Sequence, residues 1–72
     1  MQTDYRPTPG ERLKGQRVAS GVTAHALATK LGISYQRLWR LERSAGVSVL
    51  LSRSYLRALR ELVDGPEVEA TA

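Results

Sequence analysis

Two short helical patterns separated by a single glycine constrain the fold of this 72-residue chain most strongly. In the segment AHALATKLGISYQRLWRLER, runs of helix-forming residues stand on either side of Gly32. Thr23 and Ser34 supply an N-cap before each run, and glycine tolerates the left-handed conformation that ends many helices. We therefore predict helices over about residues 23–31 and 34–43, joined by a tight turn.

Apolar residues of these two patterns fall on one face of each helix. A steep crossing of two helices needs a small residue near the closest approach and apolar side chains filling the angle. Ala28 meets the first requirement, four residues before the glycine. The predicted inward positions are Leu27, Ala28, Leu31, Ile33, Leu38 and Leu41.

Two further helical patterns flank this pair. The first covers about residues 10–20, with Leu13 and Val18 assigned to one face, and Gly15 within it indicates a close approach by another helix. The last begins near Ser52 with an apolar stripe. The stripe consists of Tyr55, Leu56, Leu59, Leu62 and Val63. Before it, the segment SAGVSVLLS fits either the start of a helix or a brief extended piece.

These patterns predict an all-α fold, a small bundle of four helices, with a fifth as the alternative. Residues 10–64 form its one domain. Residues 1–9 contain two prolines and few apolar side chains, which predicts a flexible arm. Residues 65–72 are acidic and have little to bury, which predicts a disordered tail.

Opposite charges are segregated along the chain. Residues 12–60 contain ten Lys or Arg and a single acid, Glu42, whereas residues 61–72 contain four acids and no base. A basic body attracts polyanions, and nucleic acid is the commonest one inside cells. A solvated basic surface explains the charge alone equally well.

Other classes of protein are disfavoured by composition. The chain has no cysteine and one histidine, His25, which we assign to the surface, so zinc has no credible site. Its acids lie in the tails or beside arginines, which does not suit acid–base catalysis. No apolar run approaches the roughly 20 residues of a membrane span. We predict a cytoplasmic protein that is not an enzyme and has no cofactor or small-molecule ligand.

The second helix of the pair carries unusual side chains for a core helix. With Leu38 inward, Gln36, Arg40 and Arg43 share the opposite face. Glutamine pairs with the N6 and N7 atoms of adenine, and arginine with the O6 and N7 atoms of guanine. This face therefore predicts major-groove contacts. Trp39 is expected to wedge against a neighbouring helix or the DNA backbone.

From Arg12 to Arg43 the chain resembles the helix-turn-helix of the phage repressor and Cro (XRE) family. RLKGQRVASGVTAHALATKLGIS resembles the family's first helix, loop and positioning helix, and SYQRLWRLER resembles its recognition helix. The resemblance implies a lambda-repressor-like bundle and a sequence-specific, double-stranded-DNA-binding transcriptional regulator, similar to a Cro or immunity repressor. The alternatives are an excisionase-like architectural protein, an antitoxin, or a protein-interaction module using the same helices.

The resemblance also implies roles for particular residues. It pairs Arg17 with Glu42 in a partly buried ion pair. Base contacts are expected from Ser34, Tyr35, Gln36 and Arg40. The helix N-terminus at Thr23 and Ala24, with nearby basic side chains, is expected to bind phosphates. The predicted phosphate contacts are Thr23, Ala24, Arg37, Arg43 and Lys14.

Proteins of this kind usually bind two-fold DNA sites as dimers, so a weak homodimer that forms on DNA is expected. The apolar segment before the last helix offers a surface for it, although the same side chains could simply cap the bundle. These side chains are Val47, Val49, Leu50 and Leu51.

Overall fold

In the computed structural model, which describes residues 8–65, the chain forms four α-helices. They are α1 (Gly10–Ala19), α2 (Ala24–Leu31), α3 (Tyr35–Glu42) and α4 (Val49–Asp64). Helix α2 packs against α3 and α4, and α1 packs against the same two helices. The predicted small all-α bundle is confirmed, and no fifth helix occurs within the described range.

Serine and threonine caps begin the last three helices. In each case the side-chain oxygen of the cap accepts a hydrogen bond from a backbone N–H in the first turn. The pairs are Thr23 with Ala26 at 3.1 Å, Ser34 with Arg37 at 3.1 Å, and Ser48 with Leu51 at 3.2 Å.

The turn between α2 and α3 depends on Gly32. Its φ is 74° and its ψ is 28°, a left-handed conformation in which a Cβ atom is unfavourable. The Gly32 N–H donates to the Thr29 carbonyl at 3.1 Å, and the Ile33 N–H donates to the Ala28 carbonyl at 3.0 Å. These bonds satisfy carbonyl groups at the end of α2 and fix the direction in which α3 departs.

The core takes one fully buried side chain from every helix. Leu13, Leu27, Leu38 and Tyr55 each have no exposed surface. Ala28, Val47, Ala58 and Leu59 complete the buried cluster. The inward positions predicted for α2 and α3 all pack in or against this cluster.

Three apolar residues predicted to face inward are exposed instead. Val18 is 58% exposed, Leu56 36% and Val63 53%. Val18 lies five residues after Leu13, which places it about 140° around the helix from that buried side chain. In α1 the inward positions are Gly10, Leu13 and Arg17.

The close helix approach predicted at Gly15 is also wrong, because no atom lies within 4 Å of a Cβ placed there. Gly10 is the glycine that a neighbouring helix approaches. A Cβ at Gly10 would collide with the carbonyl oxygen of Leu41 and lie 2.8 Å from that of Glu42. The absence of a side chain at this position lets α1 lie directly against the end of α3.

Both structures considered for the segment before α4 occur, one after the other. Val47 is extended and pairs with Thr8, whose N–H donates to the Val47 carbonyl at 3.0 Å, while the Val47 N–H donates back at 2.6 Å. The helix then begins at Val49. Thr8 was predicted to belong to a flexible arm, but this pair attaches it to the domain. The rest of the predicted arm, residues 1–7, and residues 66–72 of the predicted tail lie outside the described residues.

Candidate nucleic-acid interface

The exposed side of α3 carries most of the predicted base contacts. Gln36 and Arg40 lie one helical turn apart and both are exposed, whereas Leu38 is fully buried on the other side. The ion pairs among residues 8–65 involve other residues, so Arg40 has no partner there. We call the exposed side chains of this helix the α3 outer face: Tyr35, Gln36, Arg37, Trp39 and Arg40, with Arg43 at its end.

Tyr35 opens the α3 outer face and touches α2. Its ring stacks on the imidazole of His25, with ring centroids 4.4 Å apart and an angle of 13° between the planes. Tyr35 is 43% exposed, and His25 is also exposed. The sequence predicted only a surface position for His25. The sequence did not predict this stack, because the contact depends on how the turn between α2 and α3 places the N-termini of the two helices side by side.

Ser34 and Thr23 have less freedom than the predicted contacts assume. Each side-chain oxygen already accepts a hydrogen bond as a helix cap, which leaves the hydroxyl hydrogen as a donor. Ala24 is half-buried against the core, so only its backbone N–H could meet a phosphate. The geometry is compatible with phosphate binding at the start of α2.

Trp39 and Arg43 form a second stacked pair at the far end of the α3 outer face. The guanidinium carbon of Arg43 lies 4.4 Å from the centroid of the Trp39 ring. Trp39 is 50% exposed, so it is not wedged into the described bundle. The stacked guanidinium group of Arg43 retains its hydrogen-bond donors, while the Trp39 ring restricts the position of that group.

Lys14 lies at the same end. It lines a shallow recess of about 380 Å³ together with Arg43 and residues that follow α3. Arg37, in contrast, lies in the first turn of α3, where it lines a recess together with Arg40 and the segment before α4. The residues predicted to bind phosphates are therefore divided between the two ends of the α3 outer face.

A buried ion pair holds α3 in place from behind. The Arg17 Nε atom donates to Glu42 Oε2 at 2.7 Å, and Nη2 donates to Oε1 at 3.1 Å, in a two-pronged contact. Nη1 donates to the Val22 carbonyl at 3.0 Å. Tyr55 adds a third partner from α4, because its hydroxyl donates to Glu42 Oε2 at 2.5 Å. The carboxylate thus joins α1, α3 and α4.

Tyr55 was predicted only as part of an apolar stripe. A buried tyrosine hydroxyl needs a partner, so the place of Tyr55 on the apolar stripe and the lone acid of residues 12–60 were the sequence signals of this contact. Burial, followed by the hydrogen bond and charge of Glu42, raises the Tyr55 pKa above its usual range. The hydrogen bond to Glu42 also raises the Arg17 pKa. No buried side-chain polar atom among residues 8–65 lacks a partner.

A second basic surface lies away from α3. A groove of about 630 Å³ between α1 and α4 is lined by Arg53, Arg57 and Arg60, and also by Leu56 and Val63. None of its lining residues belongs to α2 or α3. This groove provides exposed arginines for comparison with those of the α3 outer face.

The described residues offer no metal-binding cluster of three or more His, Cys, Asp or Glu. None of the four helices is long and apolar enough to cross a membrane. Comparison with known proteins gives no match, whether to a protein-family model, a curated protein or a solved structure.

Proposed function

We propose that this protein is a sequence-specific, double-stranded-DNA-binding transcriptional regulator that resembles a phage Cro or immunity repressor of the XRE family. In this proposal α2 and α3 form the helix-turn-helix, and α3 lies in the major groove. Transcription is controlled by occupation of the DNA site, without a cofactor.

One observation carries the proposal. Gln36 and Arg40 are exposed one turn apart on a helix whose opposite side is held to the core by Leu38 and to α1 and α4 by Glu42. Recognition of base edges in the major groove requires hydrogen-bond donors and acceptors in fixed positions. Long polar side chains on a rigidly held helix meet this requirement. Each bidentate contact supplies about 1–3 kcal/mol of discrimination against the wrong base.

Backbone contacts at both ends of α3 complete the proposed interface. Thr23 and Ala24 meet one stretch of phosphates, Lys14 and Arg43 meet another, and Arg37 adds a contact from the first turn of α3. Such contacts set affinity and orientation and carry no sequence information directly. Ser34 and Tyr35 contribute base contacts at the edge of the groove.

A homodimer that forms on DNA fits the exposed leucines in the first turn of α4. Leu50 is 75% exposed and Leu51 52%, whereas Val47 is buried in the core. Val47 therefore caps the bundle, while the two leucines stay free for a second copy. Two recognition helices of such a dimer would lie about 34 Å apart on one face of the duplex.

Selection of bound duplexes from a random pool tests the proposal. The wild type should enrich a short motif, arranged as two related half-sites if it dimerises. Gln36→Ala and Arg40→Ala should each relax the preference at different base pairs by about 1–3 kcal/mol. Arg53→Ala, on the other basic surface, is the matched control and should enrich the wild-type motif. Enrichment of no motif by the wild type would reject the proposal.

The same exposed leucines and Trp39 favour a protein-interaction module as the second candidate. A helix that binds a partner protein usually presents an apolar stripe, and α3 presents a single tryptophan among polar side chains. An architectural, excisionase-like protein or an antitoxin would also bind DNA. DNA bending in the selected complex distinguishes the first of these. Duplex binding that falls steeply with salt separates both from the protein-interaction module.

A further inference from the structure

We propose that His25 is a positioning residue for base recognition, holding the Tyr35 ring in the orientation in which it meets the major groove. This inference rests on the proposed function. It adds a specificity determinant on α2, outside the recognition helix, and it assigns a role to the only histidine of the chain.

The geometry of the pair supports this role. His25 is the second residue of α2 and Tyr35 is the first residue of α3. The ring centroids are 4.4 Å apart and the planes differ by 13°, so one face of the phenol ring is covered by the imidazole. Tyr35 is nevertheless 43% exposed, so a large part of the residue remains accessible. The stack therefore restricts the orientation of the Tyr35 ring without burying the residue.

A tyrosine at the first position of a helix otherwise has considerable side-chain freedom. No preceding helical turn restricts its rotamer, and its neighbour Ser34 is engaged as a cap. An unrestricted ring would lose rotamer freedom on binding DNA, whereas a stacked ring has lost it beforehand. Preorganisation of this kind favours one placement of the ring over the others and so sharpens the choice of base.

A purely structural role fits the pair less well. Both side chains are exposed, and the core is complete without them. The Gly32 turn and the cap at Ser34 already fix the start of α3 through backbone bonds. Loss of the imidazole should therefore leave the fold intact while it releases the Tyr35 ring.

The test compares His25→Ala, His25→Phe and Tyr35→Ala by duplex selection and by NMR of the free proteins. In His25→Ala the Tyr35 ring signals should lose the ring-current shift of the stack. Preference should weaken by about 3- to 10-fold at the base pair that also depends on Tyr35, the loss expected when one aromatic pair is removed. Base pairs that depend on Gln36 and Arg40 should be unaffected. His25→Phe, which keeps a flat ring, should restore both readouts.

Three results would overturn the inference. Unchanged preference in His25→Ala, with the wild type selecting a motif, would reject the positioning role and leave the proposed function standing. An equal loss for all sequences would show that His25 contacts a phosphate. A wild type that enriches no motif would reject the proposed function, and the positioning role with it. Circular dichroism and thermal melting of each variant verify that the fold is retained.

Discussion

Glu42 is the residue at which three helices meet. Its carboxylate accepts hydrogen bonds from Arg17 of α1 and Tyr55 of α4, and it is itself the last residue of α3. A buried charge of this kind is tolerated because every partner is present, whereas loss of one partner leaves the others unsatisfied. The position of the α3 outer face thus depends on a contact made on the opposite side of the helix.

Tyr55→Phe tests the contribution of the third partner. The substitution keeps the buried ring and removes the hydroxyl that donates to Glu42. The free energy of unfolding should fall by about 1.5–3 kcal/mol at neutral pH, the usual range for a hydrogen bond to a charged group. Chemical denaturation measures this difference directly. An unchanged free energy of unfolding would show that the hydrogen bond from Tyr55 to Glu42 does not stabilise the fold.

The pH dependence of the free energy of unfolding above neutral pH should also distinguish the wild type from Tyr55→Phe. The folded-state pKa of Tyr55 is raised, so its contribution is fully present below the unfolded-state pKa of about 10 and is lost as the pH rises towards the folded-state value. The stability gap between wild type and Tyr55→Phe should therefore narrow above about pH 10. A gap that widens with rising pH would contradict the direction of the pKa shift.

At the scale of the elements, α1 and α3 are held together by a glycine as well as by charge. Gly10 lies against the carbonyl groups of Leu41 and Glu42, while its N–H donates to the Ser44 carbonyl at 2.9 Å. Gly15 is on the same helix, is exposed and faces open space. The two glycines therefore form a matched pair, because the same substitution should have opposite effects.

Gly10→Ala should lower the free energy of unfolding by about 1–3 kcal/mol, since the added methyl group meets backbone atoms that cannot move aside easily. Gly15→Ala should raise it by about 0.5–1 kcal/mol, the gain in helix propensity where no neighbour interferes. Thermal and denaturant unfolding of both variants measures the contrast. Equal effects of the two substitutions would contradict the packing of α1 against α3.

Local sequence signals located α2, α3 and the turn between them well. The hydrogen bonds made by Thr23, Ser34 and Gly32 reach only residues within one helical turn. Their effects can therefore be predicted from the sequence alone. Gly10 and the Thr8–Val47 pair were missed because their partners lie more than 30 residues away along the chain. Val18 was misplaced by a weak periodicity in a short helix.

In the molecule as a whole, six exposed arginines lie on two surfaces, three on the α3 outer face and three in the groove between α1 and α4. Sequence alone predicted that Gln36 and Arg40 are exposed, because the position of Leu38 fixes the opposite side. It did not predict the exposure of Trp39. It did not predict that Arg43 would stack on Trp39 or that His25 would stack on Tyr35. Such contacts depend on rotamers and on the crossing of the helices.

Salt dependence should separate the two basic surfaces. Three cationic phosphate contacts per protomer, from Lys14, Arg37 and Arg43, predict a log–log slope of about −2.7 for a monomer and about twice that for a dimer. Arg43→Ala should make the slope shallower by about 1 per protomer and weaken all sequences alike. Arg53→Ala should leave it unchanged. Fluorescence anisotropy over a series of salt concentrations gives the slopes, and a loss confined to Arg53→Ala would place DNA on the α1–α4 groove.

NMR titration of labelled protein with a selected duplex tests whether the α3 outer face is the surface that enters the major groove. Signals of Gln36, Arg40 and the Trp39 indole should shift strongly, with those of the first turn of α2. Signals of Arg53, Arg57 and Arg60 should change little. Shifts confined to those three arginines, with the α3 outer face unperturbed, would show that α3 does not enter the major groove.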